Sequence, residues 1–163
     1  MPPLSLNNFM LKKEKIIQLI NDYIKQNESF FIVDIKISPY NNIEILIDSF
    51  NGVTIQNCVS LSKFIESALD KDECNFSLQV SSSGLSEPFK VFEQYEKCIG
   101  SSVNVYLKEG KKILGKILNA NKGKGIILET TTRKKIGNKK KQIIEQQSLS
   151  FDEIDRTKVV ISF

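Results

Sequence analysis

Histidine and tryptophan are absent from this chain of 163 residues, and cysteine occurs only three times. Histidine is the commonest general base in enzymes and a frequent metal ligand, so its absence argues against an enzyme and against a zinc site. Cys58, Cys74 and Cys98 show no C-x-x-C spacing. An odd number of unpaired cysteines is typical of free thiols in a reducing compartment. We expect no catalytic residues, no metal and no cofactor.

Long apolar runs are also missing. No run approaches the roughly 18 residues that a membrane span needs. Residues 1–6 lack the charged region, apolar core and cleavage site of a signal peptide. We therefore expect a cytoplasmic protein that does not contact membranes. Residues 1–9 are predicted to form a flexible leader, with Met10 as an alternative start.

Nucleotide-binding motifs are absent as well. The glycines at 110–115 and 123–125 form neither a P-loop nor a G-x-G-x-x-G turn. The G-x-x-G clamp of KH domains does not occur. Most Phe and Tyr residues fall at core-like positions, so no aromatic platform for stacking bases is predicted. An RNA-processing enzyme is therefore the weaker hypothesis, and metal-dependent activity in a purified sample would be needed to revive it.

Charge is distributed unevenly. Residues 1–90 carry 8 Lys/Arg against 11 Asp/Glu, whereas residues 91–163 carry 15 against 8. A basic half beside an acidic half predicts a surface for RNA or for an acidic protein. The densest cluster is predicted to be a mobile loop between strands that contacts RNA phosphate or, alternatively, a solvated loop that only improves solubility. Its members are Arg133, Lys134, Lys135, Lys139, Lys140 and Lys141.

The apolar pattern of the first half predicts two helices and three strands. Apolar residues recur at spacings of three and four over residues 12–26 and 55–69, and Thr54 is the predicted N-cap of the second helix. Strict alternation at residues 31–37, 43–47 and 76–80 predicts strands. The first half is therefore expected to be an α-β-β-α-β domain with one sheet covered by two helices.

The second half contains short apolar runs separated by turn or charge signals. The runs lie at residues 103–107, 113–117, 126–128, 143–144 and 159–161. Several short strands within about 60 residues predict a small SH3-like or Sm-like β-barrel. Residues 151–154 are predicted to form the single helical turn before the last strand. The fold class is therefore α+β, with an N-terminal domain at residues 10–90 and a C-terminal barrel at 91–163.

A Ser/Gly/Pro segment at residues 80–89 joins the two halves. Such clusters are typical of turns and of domain boundaries. We therefore expect a hinge here. Its defining residues are Ser81, Ser82, Gly84, Leu85 and Pro88.

Four segments, taken in order, resemble the ribosome maturation factor RimP family, and together they cover the chain from about Ile16 to Phe163. They are residues 43–48 followed by 51–55 and Cys58, residues 80–89, Tyr95 followed by Ile99-Gly100, and residues 151–154. The chain departs from the family pattern where the family usually has Pro, Asp and often Arg. These positions are Ser83, Ser86 and Glu87.

The resemblance implies a function. A member of this family is expected to be a non-enzymatic ribosome assembly factor that binds the free small subunit and promotes its late maturation. Its implied partners are small-subunit rRNA and ribosomal protein uS12, and we expect a monomer. The alternative is a general Sm-like RNA-binding chaperone without ribosome specificity. Competition between ribosomal subunits and bulk RNA would separate these two functions.

Overall fold

The structure is a computed structural model that describes residues 13–69, 76–84 and 86–161. The chain divides into two compact units, the first ending at Ser83 and the second beginning at Gly84. The division falls a few residues before the expected boundary at 90/91, because Phe89 packs against the second core. The expected leader at residues 1–9, together with Cys74 and Leu85, lies outside the described residues.

The first unit has the predicted α-β-β-α-β order. The elements are α1 (Lys13–Gln26), β1 (Phe30–Ile37), β2 (Asn42–Ser49), α2 (Ile55–Ala68) and β3 (Ser77–Ser82). In the sheet, β2 is central, antiparallel to β1 and parallel to β3. A parallel pair needs a crossover connection, and α2 lies within it.

The first core forms between the helices and the sheet. Ile16 and Ile20 of α1 are fully buried with Ile65 of α2 and Ile45 of β2. Each such side chain stabilises the fold by about 1.5–3 kcal/mol through burial. The predicted N-cap of α2 is confirmed, because Thr54 Oγ1 accepts a hydrogen bond from the backbone N–H of Asn57 at 3.1 Å.

The second unit consists of α3 (Phe92–Lys97), β4 (Ser102–Leu107), β5 (Lys112–Asn121), β6 (Gly125–Ile136), β7 (Lys139–Ser150), a 3-10 turn (Phe151–Glu153) and β8 (Ile154–Val159). Its strands form a five-stranded antiparallel sheet with the order β7-β6-β5-β4-β8. The α+β class is thereby confirmed, as is the helical turn before the last strand. That strand ends at Val159, so it includes only the first residue of the apolar run at 159–161.

The second core lies on the inner face of this sheet. Val103 and Val105 of β4 are fully buried, as is Leu128 of β6. Tyr95 of α3 is 9% exposed, and its ring meets the ring of Phe89 edge-on at a centroid distance of 4.9 Å. Residues just before α3 therefore belong to the second hydrophobic core.

Candidate nucleic-acid interface

The basic cluster lies at the end of a regular β-hairpin. Strands β6 and β7 pair continuously from Gly125 opposite Ser150 to Ile136 opposite Lys139. Only Gly137 and Asn138 separate the strands, and Gly137 has a φ of 65°, which suits glycine at the first position of a two-residue hairpin turn. The prediction of a mobile loop at residues 133–141 was therefore wrong.

The hairpin extends beyond the rest of its sheet. Pairing between β5 and β6 ends at Lys116 opposite Glu129. In the described structure, residues 130–136 of β6 therefore have β7 as their only strand partner. Residues 131–142 are all exposed. We call this projecting part, residues 130–145, the ribbon. Because it covers no core, lysines can occupy both of its faces while the backbone keeps its ladder.

Cations lie directly opposite one another on the ribbon. Lys134 is paired in register with Lys141, and Lys135 with Lys140. Directly opposite residues of an antiparallel pair have Cβ atoms about 4.5–5.5 Å apart, so like charges there are destabilising. We call these the cross-strand lysine pairs. Their repulsion would be reduced by any ligand that carries several negative charges.

The six cations divide equally between the two faces of the ribbon. Because side chains alternate along a strand, Lys134 and Lys141 share one face with Lys139. Arg133 and the second pair, Lys135 and Lys140, occupy the other. Within residues 13–69, 76–84 and 86–161, no carboxylate oxygen lies within 4.0 Å of any of the six. Both faces therefore present positive charge that no described side chain neutralises.

The predicted hinge residues have different environments. Ser81 and Ser82 belong to β3, where they pair with Leu46 and Ile47 of β2. They are therefore strand residues rather than hinge residues, because parallel pairing with β2 fixes their backbone. Gly84 and Pro88 follow in the second unit. Leu85 lies outside the described residues.

The described part of the chain contains no cluster of three or more His, Cys, Asp or Glu side chains that could hold a metal ion. Among the same residues, no helix is both long enough and apolar enough to cross a membrane.

The structure reveals an aromatic side chain that the sequence analysis missed. Tyr106 of β4 lies opposite Lys112 of β5 and Arg156 of β8. Side chains alternate between the two faces along a strand. Because Val103 and Val105 of β4 are buried on the inner face, Tyr106 lies on the outer face of the sheet. That alternation was visible in the sequence and could have marked Tyr106 as outward-facing. The pairing of β4 with the distant β8 could not have been read from local patterns.

The fold and the site together define the class of protein as an α+β protein that carries a strongly cationic, exposed β-hairpin. The comparisons with known proteins specify the family. The family model described as "RimP N-terminal domain" matches residues 19–86.

Full-length relatives extend the match. A protein named ribosome maturation factor RimP from Porphyromonas gingivalis is 40% identical over 67% of this chain and 71% of its own length. The proteins of the same name from Flavobacterium psychrophilum and Christiangramia forsetii are 31% and 34% identical, over 94% and 93% of this chain and 100% and 99% of theirs. The chain belongs to the ribosome maturation factor RimP family, as the resemblance predicted.

Proposed function

We propose that the protein is a ribosome assembly factor that binds the free small ribosomal subunit and promotes its late maturation. The names of its relatives support a role in ribosome maturation. The cationic ribbon is the observation that carries the binding step. It presents three cations on each face, and two of its cross-strand pairs are like-charged.

The ribbon would act on the phosphates of small-subunit rRNA. Lysine and arginine neutralise phosphates without reading sequence, so specificity must come from the shape of the subunit and from additional contacts. The second proposed partner is ribosomal protein uS12, which the family resemblance implies. Two weak contacts made by one chain raise overall affinity through effective concentration. In this proposal the protein is a cytoplasmic monomer without enzymatic activity.

We also infer that the second unit is an SH3-like barrel. In the strand order of the second unit, its last strand, β8, lies beside its first strand, β4. A 3-10 turn at Phe151–Glu153 immediately precedes β8. This order and this turn support the barrel, in which the ribbon would be an extension of two neighbouring strands.

Co-sedimentation tests the proposal. The protein is mixed with purified small subunits, large subunits or intact ribosomes at physiological salt, with an excess of bulk tRNA as competitor. We expect it to pellet with free small subunits and to resist competition by tRNA. Equal binding to all three particles, abolished by tRNA, would favour the general RNA chaperone instead.

A further inference from the structure

Tyr106 lies at the centre of a cluster of cations on the outer face of the second sheet. Arg156 Cζ is 4.4 Å from the centroid of the Tyr106 ring, and Lys112 Nζ is 5.6 Å from it. Each of the two strands beside β4 therefore contributes one cation to this ring. The Tyr106 side chain is half-buried, whereas Lys112 and Arg156 are exposed.

Two features of β8 position Arg156. The register between β4 and β8 is irregular between Tyr106 and Leu107, and such irregularities re-aim side chains. Arg156 Nη1 also donates a hydrogen bond to Asp155 Oδ2 at 3.1 Å. Because this bond engages the edge of the guanidinium group, it does not use the planar faces through which arginine stacks.

Further cations lie on the same face. Lys116 of β5 is opposite Ser102, and Lys158 of β8 is opposite Asn104. Two carboxylates lie among these cations, since Glu129 is opposite Lys116 and Asp155 Oδ2 forms an ion pair with Arg156 Nη1 at 3.1 Å. The Tyr106 ring therefore has the guanidinium group of the exposed Arg156 over it, and it lies on a strand whose two neighbours both supply positive charge.

We propose that Tyr106 and Arg156 form a stacking site for an unpaired RNA base, and that Lys112 and Lys158 neutralise the adjoining phosphates. Proteins that bind single-stranded RNA stack bases on aromatic rings and on arginine planes. Since every base has a flat face, the site would tolerate any sequence. The inference rests on the proposed function, because it takes RNA as the ligand.

Fluorescence tests this directly, because the chain contains no tryptophan. Tyr106→Trp places a single reporter at the site, and Leu114→Trp is the matched control, since Leu114 is 60% exposed on the same face. The probe is oligouridylate of about twelve nucleotides, within the range that small RNA-binding domains cover. We expect it to quench the tryptophan at 106 but not that at 114. An abasic oligomer of equal length should quench neither.

Affinity measurements separate stacking from charge. Tyr106→Thr keeps a strand-favouring residue but removes the ring, and should weaken oligouridylate binding by roughly 5- to 100-fold. The salt dependence and the melting temperature should stay close to wild type. Tyr106→Phe keeps the ring and should retain most of the affinity.

Equal binding of the normal and abasic oligomers, or wild-type affinity in Tyr106→Thr, would overturn the stacking site. Either result leaves the proposed function intact if small subunits still bind. Absence of oligouridylate binding at low salt would also overturn the stacking site. Failure of the wild-type protein to bind small subunits would instead remove the proposed function.

Discussion

The hydroxyl of Tyr95 donates a hydrogen bond of 2.8 Å to Oγ1 of Thr157, and both side chains are buried. The bond connects α3 to β8 across 62 positions of sequence. It satisfies two polar atoms within the second core, where an unpartnered hydroxyl would be costly. The backbone N–H of Phe89 also donates to the carbonyl oxygen of Thr157, at 2.8 Å. Thr157 therefore ties the first residues of the second unit to its last strand.

Tyr95→Phe should destabilise the protein by about 1–3 kcal/mol, because it leaves the Thr157 hydroxyl without its partner in the core. Chemical denaturation measures the change. Tyr23→Phe is a suitable control, since Tyr23 is only half-buried in the first unit. If Tyr95→Phe lowers the free energy of unfolding no more than the control does, the stabilising role of the hydrogen bond is contradicted.

Alkaline pH should destabilise the second unit through the same residue. Burial raises the pKa of Tyr95 above its ordinary value of 10.0, although the bond to Thr157 opposes the shift. As pH rises past about 10, the unfolded chain releases the Tyr95 proton before the folded chain does. The stabilisation that comes from keeping Tyr95 protonated is therefore complete below that pH and is lost above it. Unfolding free energies at about pH 9 and pH 11 should show a smaller loss in Tyr95→Phe than in wild type. Equal losses would mean that Tyr95 has no part in the pH dependence.

Replacing all four members of the cross-strand lysine pairs by Gln should weaken small-subunit binding without lowering the melting temperature. The replacement removes contacts to phosphate and also removes repulsion between opposite side chains. The control variant carries the same change of charge on the first unit. Its substitutions are Lys13→Gln, Lys15→Gln, Lys25→Gln and Lys63→Gln. Equal weakening in both variants would show that total charge, and not the ribbon, governs binding.

Small-subunit affinity should fall steeply with salt. For nucleic acids, the logarithm of the binding constant falls by about 0.7–0.9 per phosphate contact for each unit of log salt concentration. Titrations from low to physiological salt should give a steep slope for wild type and a shallower one for the lysine-pair variant. A flat wild-type response would leave the ribbon without its proposed role.

Gly125→Ala should strongly destabilise the second unit. A Cβ at this position would collide with the backbone carbonyl of Leu149, and backbone cannot move aside as a side chain can. We expect a cost of at least about 1–3 kcal/mol, as for other overpacked sites. Gly84→Ala is the control, since its Cβ would meet nothing closer than 3.9 Å. Thermal unfolding compares the two, and similar melting temperatures would argue against the close approach of β6 and β7.

Local patterns predicted the first unit well because each of its elements has a one-sided apolar face. Ile16 and Ile20 are one helical turn apart, and Ile43, Ile45 and Ile47 alternate, so both faces were visible in sequence. The N-cap at Thr54 could also be predicted from local sequence, since its hydrogen-bond partner Asn57 lies only three residues away.

The ribbon could not be predicted in the same way. Its strands cover no core, so no alternation of apolar and polar residues identifies them, and a dense run of lysines resembles a loop. The signals that were present are β-branched residues at 130–132 and 143–144, together with the Gly137-Asn138 turn. Contacts between distant residues, such as Tyr106 with Arg156, depend on strand pairing that the sequence does not specify locally.

The ribbon also has a consequence for self-association. Strand β7 is at an edge of its sheet, and an exposed edge is a template for pairing with another chain. Lysine side chains along such an edge repel a second copy that carries the same lysines. The positive charge that would attract RNA would therefore also oppose pairing of this edge with a second copy of the chain. Removing this charge would leave the edge of β7 open to pairing between copies. Variants of the ribbon should therefore be checked for aggregation at the concentrations used for binding.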